Sequence, residues 1–210
     1  MKNKNLILVG GGGHCKSVID VAESAGYNVK GILDLKDNVG NSILNFKITG
    51  TDDDIVKYVD IFDFIITVGQ IKNIDLRKHI FEKIKNVGGH LATIISPKAN
   101  VSKYATIGEG SVIMHHANVN ADARIGNNNI INTSANIEHD VIVGDFCHIS
   151  TNAVVNGMCK IGNGVFVGSG SIVHNNIEII SNTIIGAGSV VNRNITERGI
   201  YAGNPIKKYR

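Results

Sequence analysis

Apolar positions in the second half of the chain recur every six residues. From Val101 to Val191 each sixth residue is isoleucine or valine, sixteen positions in succession: Val101, Ile107, Ile113, Val119, Ile125, Ile131, Ile137, Val143, Ile149, Val155, Ile161, Val167, Val173, Ile179, Ile185 and Val191. The residue two before is usually small, as at Ala99, Ala105, Ser111, Ala117, Ala123, Ala135, Ala153, Ser171 and Ser189. Glycine often follows the apolar residue, at Gly108, Gly126, Gly144, Gly162, Gly168 and Gly186. A period of six is neither the helical 3.6 nor plain strand alternation. It is the mark of a parallel β-helix, in which each six-residue unit is one short strand and a turn. The β-branched residue points into a narrow interior and stacks on its counterparts in neighbouring coils. The small residue two earlier shares that interior by strand alternation, and the pattern predicts that glycine relieves the backbone at the corners. Three units make one coil, so the run predicts about five coils rising ~4.8 Å each.

The first third of the chain has a different rhythm. Leu6–Val9 is an apolar strand that runs into Gly10-Gly11-Gly12-Gly13-His14. Residues 15–25 carry Val18, Ile19, Val21, Ala22 and Ala25 at helical spacing, closed by Gly26. Val29–Leu33 predicts a second strand ending at Asp34, and Phe62–Val68 a third ending at Gly69. A helix is predicted over Ile74–Asn86, and a short one reaching Lys57–Asp60 with Thr51 as N-cap. The order β-α-β then β-α predicts a small parallel sheet with Rossmann-like winding over 1–96, followed by the β-helix over 97–210.

A glycine loop where a strand feeds a helix presents bare backbone N–H groups, with the helix dipole behind them, to an anion. The dinucleotide pattern GxGxxG is not met: with Gly10 and Gly12 as its first glycines, the third position is Cys15. This argues against NAD and for a nucleotide diphosphate. Asp34, about twenty residues further at a strand end, can reach a ribose or base. The alternative is that the glycines only let strand and helix pack closely.

Composition narrows the classes. With 21 basic and 18 acidic residues the formal charge is +3, too balanced for nucleic acid as main partner. The apolar run after Met1-Lys2-Asn3-Lys4-Asn5 is too short for a secretory leader, and no stretch approaches a membrane span. Cys15, Cys147 and Cys159 show no paired spacing, and Cys147 and Cys159 fall in the small inward position, where cysteine is an apolar filler. The expectation is a reduced, cytoplasmic protein.

Three segments carry a specific resemblance: Val9-Gly10-Gly11-Gly12-Gly13-His14-Cys15-Lys16; Ile131-Asn132-Thr133-Ser134-Ala135-Asn136-Ile137-Glu138-His139-Asp140, continuing through Gly144-Asp145-Phe146-Cys147-His148-Ile149-Ser150; and Tyr201-Ala202-Gly203-Asn204-Pro205. Together with the repeats and the linker near Ser96-Pro97, the chain resembles the NeuD/PglD-type sugar O-/N-acetyltransferases, bacterial enzymes of surface-sugar biosynthesis. The resemblance implies a left-handed β-helix, acetyl-CoA as co-substrate, no metal, and a trimer with active sites between subunits. It places the general base on His139 with Asp140 as its acidic partner. Contacts to the acetyl donor and the CoA arm fall on His148, Ser169 and Ala187. Nucleotide-sugar contacts fall on Gly12, Gly13, His14, Asp34, Leu35 and Gly69. Leu35 departs from the family, where a second acidic residue can stand.

The repeat phase tests the histidines independently. His139 lies two residues after inward Ile137 and His148 one before inward Ile149, so both are predicted outside the coil and neither a satisfied core histidine. Nine residues apart, they fall on different faces of one prism and meet only across subunits of a threefold assembly. A backbone N–H must hold the thioester oxygen as charge builds there, and Gly157 is a candidate. N-acetylation of a nucleotide-linked 4-amino-4,6-dideoxy sugar is favoured by the intact loop and Asp34; O-acetylation of a sialic-acid-like sugar stays open. The outward or corner histidines His115, His116 and His174 raise a zinc enzyme like γ-type carbonic anhydrase as another class, and a non-catalytic trimerisation scaffold is a third. A zinc enzyme of that kind has no need of a glycine-loop nucleotide domain, and CoA binding distinguishes a scaffold.

Overall fold

The computed structural model describes residues 4–71 and 73–209. Of Met1–Asn5, the segment ahead of the first apolar run, Met1, Lys2 and Asn3 lie outside the described residues. The chain divides into two compact units. One runs through Gly69 and resumes over Asp75–Ile95; the other takes Gln70–Ile74 and everything from Ser96.

In the first unit, β1 (Asn5–Val9) leads into α1 (Gly13–Ser24), β2 (Asn28–Leu33), the hairpin β3 (Ser42–Ile43) and β4 (Phe46–Gly50), then β5 (Asp63–Ile66) and α2 (Asp75–Asn86). The sheet order is β3-β4-β2-β1-β5, parallel except for the hairpin pair. The strands β1 and β5 are apolar on both faces because helices and turns cover both. Ile7, Val9, Leu33, Ile55, Phe64, Ile66, Ile80, Ile84 and Leu91 form one buried cluster. The helix α1 buries Cys15, Val18, Ile19, Val21 and Ala22, the face its spacing predicts.

Two features differ from expectation. The β3–β4 hairpin adds strands that the sequence reading left out; its tip holds Leu44 at φ 51°, without the Asn-Gly signal that marks such turns. The helix after Thr51 is a 3₁₀ segment over Asp52–Lys57 that stops short of Asp60; Thr51 is its N-cap as expected, and the Asp54 carboxylate accepts the Thr51 N–H at 2.8 Å.

The second unit is a left-handed parallel β-helix of two-residue strands on three faces. From Asn100 to Val191 each strand pairs in parallel with the strand eighteen residues away, as in Asn118↔Asn136 and Val119↔Ile137. Of the sixteen phased residues all but Val101 and Ile107 are buried, and those two pack on the same cluster. Ile195, Tyr201 and Ile206 join the far end of that core.

Contrary to expectation, glycine after the phased residues does not relieve the corners. None of the glycines that follow the phased residues has a positive φ. The left-handed corner is three residues after each inward residue, at fourteen successive sixth positions from Gly110 to Gly188, and ten of these are not glycine. Asp and Asn hold six of the ten, Asp122, Asn128, Asp140, Asn152, Asn176 and Asn182. Their short polar side chains tolerate this conformation. Gly108, Gly126, Gly144, Gly162 and Gly168 are glycine for another reason. A Cβ there would fall 2.5–3.0 Å from backbone of the next coil, for example 2.8 Å from the Gly144 carbonyl carbon at Gly126. The constraint is close approach between coils, not torsion.

Ile137 is wholly buried in the middle of the stack. Ile137→Asp places a carboxylate in that interior at a cost of roughly 3–5 kcal/mol. The expected result is loss of soluble, cooperatively melting protein, measured by thermal denaturation; a normal melt would place the phase elsewhere.

Candidate functional site

The first unit carries a cavity of about 260 Å³ at the carboxyl ends of its strands. It lies where the strand order reverses about β1, between β2 and β5, the usual ligand position in such sheets. Its walls are Gly10–Gly12 after β1, Leu33–Leu35 after β2, Val68 and Gly69 after β5, with Asp52, Leu76 and Ile80. Of the residues singled out from the sequence, Gly12, Asp34, Leu35 and Gly69 therefore come together. Gly13 and His14 lie just beyond the walls in the first turn of α1, and the His14 Cβ sits 3.7 Å from where a Gly69 Cβ would be. Asp52, Leu76 and Ile80 escaped the sequence reading, because nothing local marks residues that other elements bring to a strand end.

The four loop glycines divide into two pairs. Gly10 has φ 112°, and a Cβ there would lie 2.8 Å from the Val68 nitrogen. A Cβ on Gly11 would lie 2.5 Å from an Asp34 carboxylate oxygen. These two are required by packing. A Cβ on Gly12 or Gly13 would meet nothing within 4 Å, and Gly12 has the ordinary φ of −76°. Packing within the chain leaves that space open, in front of a helix N-terminus with no side-chain cap. The arrangement suits a diphosphate.

Charged groups flank this space. Asp34 accepts a hydrogen bond from Asn38 Nδ2 at 2.8 Å on one oxygen. Asp52 pairs with Lys83 at 3.1 Å. Behind the Val68–Gly69 wall, buried Arg77 donates from Nη1 to the Val68 and Ile66 carbonyls at 2.6 and 3.2 Å. Burial lowers the Arg77 pKa to about 9, which still leaves a cation at neutral pH.

In the β-helix unit His139 stands at a corner, outside the coil as its phase predicts. Its Nδ1 is 2.7 Å from Asp140 Oδ2, and the two side chains are 49% and 52% exposed. Asp140 occupies the left-handed corner position at φ 61°. Since the carboxylate accepts, Nδ1 carries the proton and Nε2 keeps its lone pair. A Cβ on Gly157, one coil on, would lie 2.7 Å from both Cε1 and Nε2 of His139. The ring lies across the bare backbone of Gly157, which is why that residue has no side chain.

Corner amides show which edges are chemically open. On one edge each backbone N–H is taken by a side chain of the next coil: Glu109 by Asn127 at 3.0 Å, Asn127 by Asp145 at 2.7 Å, Asp145 by Asn163 at 2.8 Å, and Asn163 by Ser181 at 3.0 Å. The Gly157, Ser169 and Ala187 corners have no such cap. Among the described residues none accepts the N–H of Gly157, Ser169 or Ala187. Ser169 and Ala187 are exposed, one coil apart, and a Cβ on their neighbours Gly170 or Gly188 would meet nothing within 4 Å. An edge of small residues and free amides fits an amide-bearing arm such as that of CoA.

His148 departs from its expected setting. It lies outside the coil, yet it is only 8% exposed and hydrogen-bonded on both nitrogens. Nδ1 is 2.7 Å from the Gln70 carbonyl and Nε2 is 3.0 Å from Asn132 Nδ2, and the ring meets Phe166 edge-on. Asn132 Oδ1 accepts the Thr133 N–H at 2.8 Å, so Asn132 offers its amide hydrogens to Nε2. These bonds select neutral His148 with the proton on Nδ1. The expectation of an unsatisfied histidine fails because Gln70, far away in sequence, folds onto this face, where its Nε2 also reaches the Phe146 carbonyl at 2.6 Å.

The cysteines are fillers. Cys15, Cys147 and Cys159 are all buried. Burial raises the Cys15 thiol pKa to about 11 and that of Cys147 to about 12. Among the described residues no group of three or more His, Cys, Asp and Glu side chains is placed to hold a metal ion. No helix among them is long and apolar enough to cross a membrane.

Comparison with known proteins gives a consistent setting. Residues 5–84 match the PglD N-terminal domain. The acetyltransferase domain of PglB from Neisseria gonorrhoeae FA1090, solved with acetyl coenzyme A, is 33% identical, with a TM-score of 0.91 over 98% of this chain and 99% of that one. Perosamine N-acetyltransferase from Caulobacter crescentus, solved with CoA and GDP-perosamine, is 30% identical, with a TM-score of 0.92 over 98% and 97% of the two chains. A curated relative, uncharacterized protein L142 of Acanthamoeba polyphaga mimivirus, is 38% identical over 111 residues; this chain spans 21% of that protein's length. Identity at this level over the full length of the PglB domain, with a glycine-loop sheet ahead of a hexapeptide β-helix, shows that the chain belongs to the NeuD/PglD-type family of hexapeptide-repeat sugar acyltransferases.

Proposed function

We propose that this protein transfers the acetyl group of acetyl-CoA to the amine of a nucleotide-linked 4-amino-4,6-dideoxy sugar, in the cytoplasm, for a bacterial surface glycan. The observation that carries the reading is the pairing, on one chain, of open space at Gly12 and Gly13 with a His139–Asp140 pair beside a free backbone amide. Two relatives, crystallised with acetyl coenzyme A and with CoA plus GDP-perosamine, support the two substrate classes. In this reading residues 1–96 hold the nucleotide sugar and 97–210 carry the transfer.

The chemistry follows from the atoms present. The His139 Nε2 lone pair takes a proton as the sugar nitrogen bonds to the thioester carbon. The Asp140 carboxylate stabilises the imidazolium that forms. The Gly157 N–H, otherwise unused, receives the oxygen as it becomes negative. When the carbon–sulfur bond breaks, His139 returns the proton to the departing thiolate, giving the amide and free CoA. Ser169 and Ala187 offer amides to the CoA arm. His148, locked neutral by Gln70 and Asn132, shapes the wall on the donor side. The Gly157 and Ser169 corners belong to different edges of one prism. A homotrimer, which sets one subunit's edge against the next, is the assembly that unites them.

Four measurements test this reading. A panel of UDP-, GDP-, dTDP- and CMP-sugars with acetyl-CoA should release thiol with a 4-amino sugar; release only with a sialic-acid-like hydroxyl acceptor would move the activity to O-acetylation.

Gly12→Val should fold normally, because its backbone is ordinary and the space is empty. By calorimetry it should lose nucleotide-sugar affinity by at least about tenfold while binding acetyl-CoA as before. Unchanged sugar affinity would assign the loop to packing.

His139→Ala should lower kcat by roughly 10²–10⁴ with both substrate affinities near normal. Asp140→Asn should lose less, since asparagine keeps the left-handed corner. It should also move the acidic limb of the pH–rate profile to lower pH, because the protonated imidazole loses its anion. Sedimentation should find active protein as trimers, and a fully active monomer at assay concentration would sink the shared-site assembly.

A further inference from the structure

Beside His139 lies a second carboxylate that the transfer chemistry above does not use. Glu138 follows inward Ile137 and is partly buried on the outside of the coil. A ladder of amides climbs to it. Asn100 Nδ2 donates to Asn118 Oδ1 at 2.6 Å, and Asn118 Nδ2 to Asn136 Oδ1 at 2.7 Å. Asn136 Nδ2 then donates to Glu138 Oε1 at 2.7 Å, and Asn120 Nδ2 takes Oε2 at 2.9 Å. Every amide in the chain points its donors the same way, so each polarises the next and the chain ends on the anion.

Stacking alone does not call for a carboxylate here. The rungs below are asparagines, and an amide would complete the ladder without a charge. Among the described residues no lysine or arginine pairs with Glu138. Its neutral donors hold the carboxyl below the usual glutamate range, first through Asn136; Asn120, the His139 ring and the His139 backbone N–H act in the same direction. The remaining charged groups around this corner are few. Asp140 shares the turn, Asp122 holds the equivalent corner one coil below, and Arg124 starts the strand after it. Lys160, a coil above, is paired with Glu178 at 2.6 Å. A fixed anion without a cation of its own stands next to the one ring that gains positive charge during transfer.

We propose that Glu138, oriented by the Asn100–Asn118–Asn136 ladder and Asn120, is a positioning residue for His139, supplying a second fixed anion next to the imidazolium. The proposal rests on His139 being the base. Asp140 meets the ring nitrogen directly, and Glu138, the residue before His139, is the second carboxylate, held by Asn136 and Asn120.

The test uses the full-length protein with Glu138→Gln, Glu138→Asp and, in parallel, His139→Ala. For Glu138→Gln the expected kcat is lower by about tenfold, with both KM values within about twofold of wild type. The His139 ring, followed by NMR, should titrate at lower pH than in wild type, and the acidic limb of kcat/KM should move with it. Glu138→Asp keeps the charge but shortens the reach to Asn120. It should titrate close to wild type and recover most of kcat, even if both variants melt at the same lower temperature. An unmoved ring titration in Glu138→Gln overturns the proposal whatever the rate does, leaving Glu138 as the last rung of an outer ladder. So does a rate loss that Glu138→Asp shares in full. Full activity of His139→Ala would instead overturn the assignment of the base, a separate result that the NMR titration does not depend on.

Discussion

Stacking of one coil on the next at an offset of eighteen residues is the contact on which the β-helix unit depends. Parallel pairing holds equivalent residues in neighbouring coils about 4.8 Å apart, and nothing bulky fits between them at the edges. That spacing makes Gly126 glycine, because a Cβ would run into the Gly144 backbone. It also lines up Asn100, Asn118 and Asn136 so that one amide donates to the next, and lays the His139 ring over Gly157. The apolar ladder supplies the free energy of the stack. The offset supplies the geometry of everything on its surface.

The same stacking turns edges into either closed or open surfaces. Where Asn127, Asp145, Asn163 and Ser181 stand at a corner, each side chain takes the amide of the coil below and the edge is chemically silent. The amides of Gly157, Ser169 and Ala187 meet no such side chain among the described residues, and of these corners Ser169 and Ala187 are exposed. The glycine loop of the first unit divides by a related rule. Gly10 and Gly11 are filled against Val68 and Asp34, and Gly12 and Gly13 are not. In both units a ligand-ready surface is one where the chain withholds an atom that packing could have accommodated.

Histidine chemistry depends on which partners arrive. His139 keeps one nitrogen open because its second partner is Asp140, the next residue in sequence. His148 has neither nitrogen open, since Gln70 and Asn132 come to it from 78 and 16 residues away. Two outward histidines in the same run of repeats thus meet different surroundings, one with a ring nitrogen open and the other with both nitrogens bonded.

Much of this was legible in the sequence. A six-residue period in Ile and Val determines a β-helix, since only a three-sided coil returns to the same interior at that spacing. It also determines that His139 and His148 lie outside. The strand, glycine loop and helix from Leu6 to Ala25, and the expected approach of Asp34 to the loop, follow from local pattern too. An eighteen-residue period was present as well, in Gly108, Gly126, Gly144 and Gly162, and would have distinguished the three edges. Only the tertiary structure decided which corner amides are free, that Gly12 and Gly13 face open space, that Asp52, Leu76 and Ile80 complete the cavity, and that Gln70 covers His148. Periodicity reports which way a residue points relative to its own strand. What it then meets is set by chain arriving from elsewhere, and no local pattern encodes that arrival.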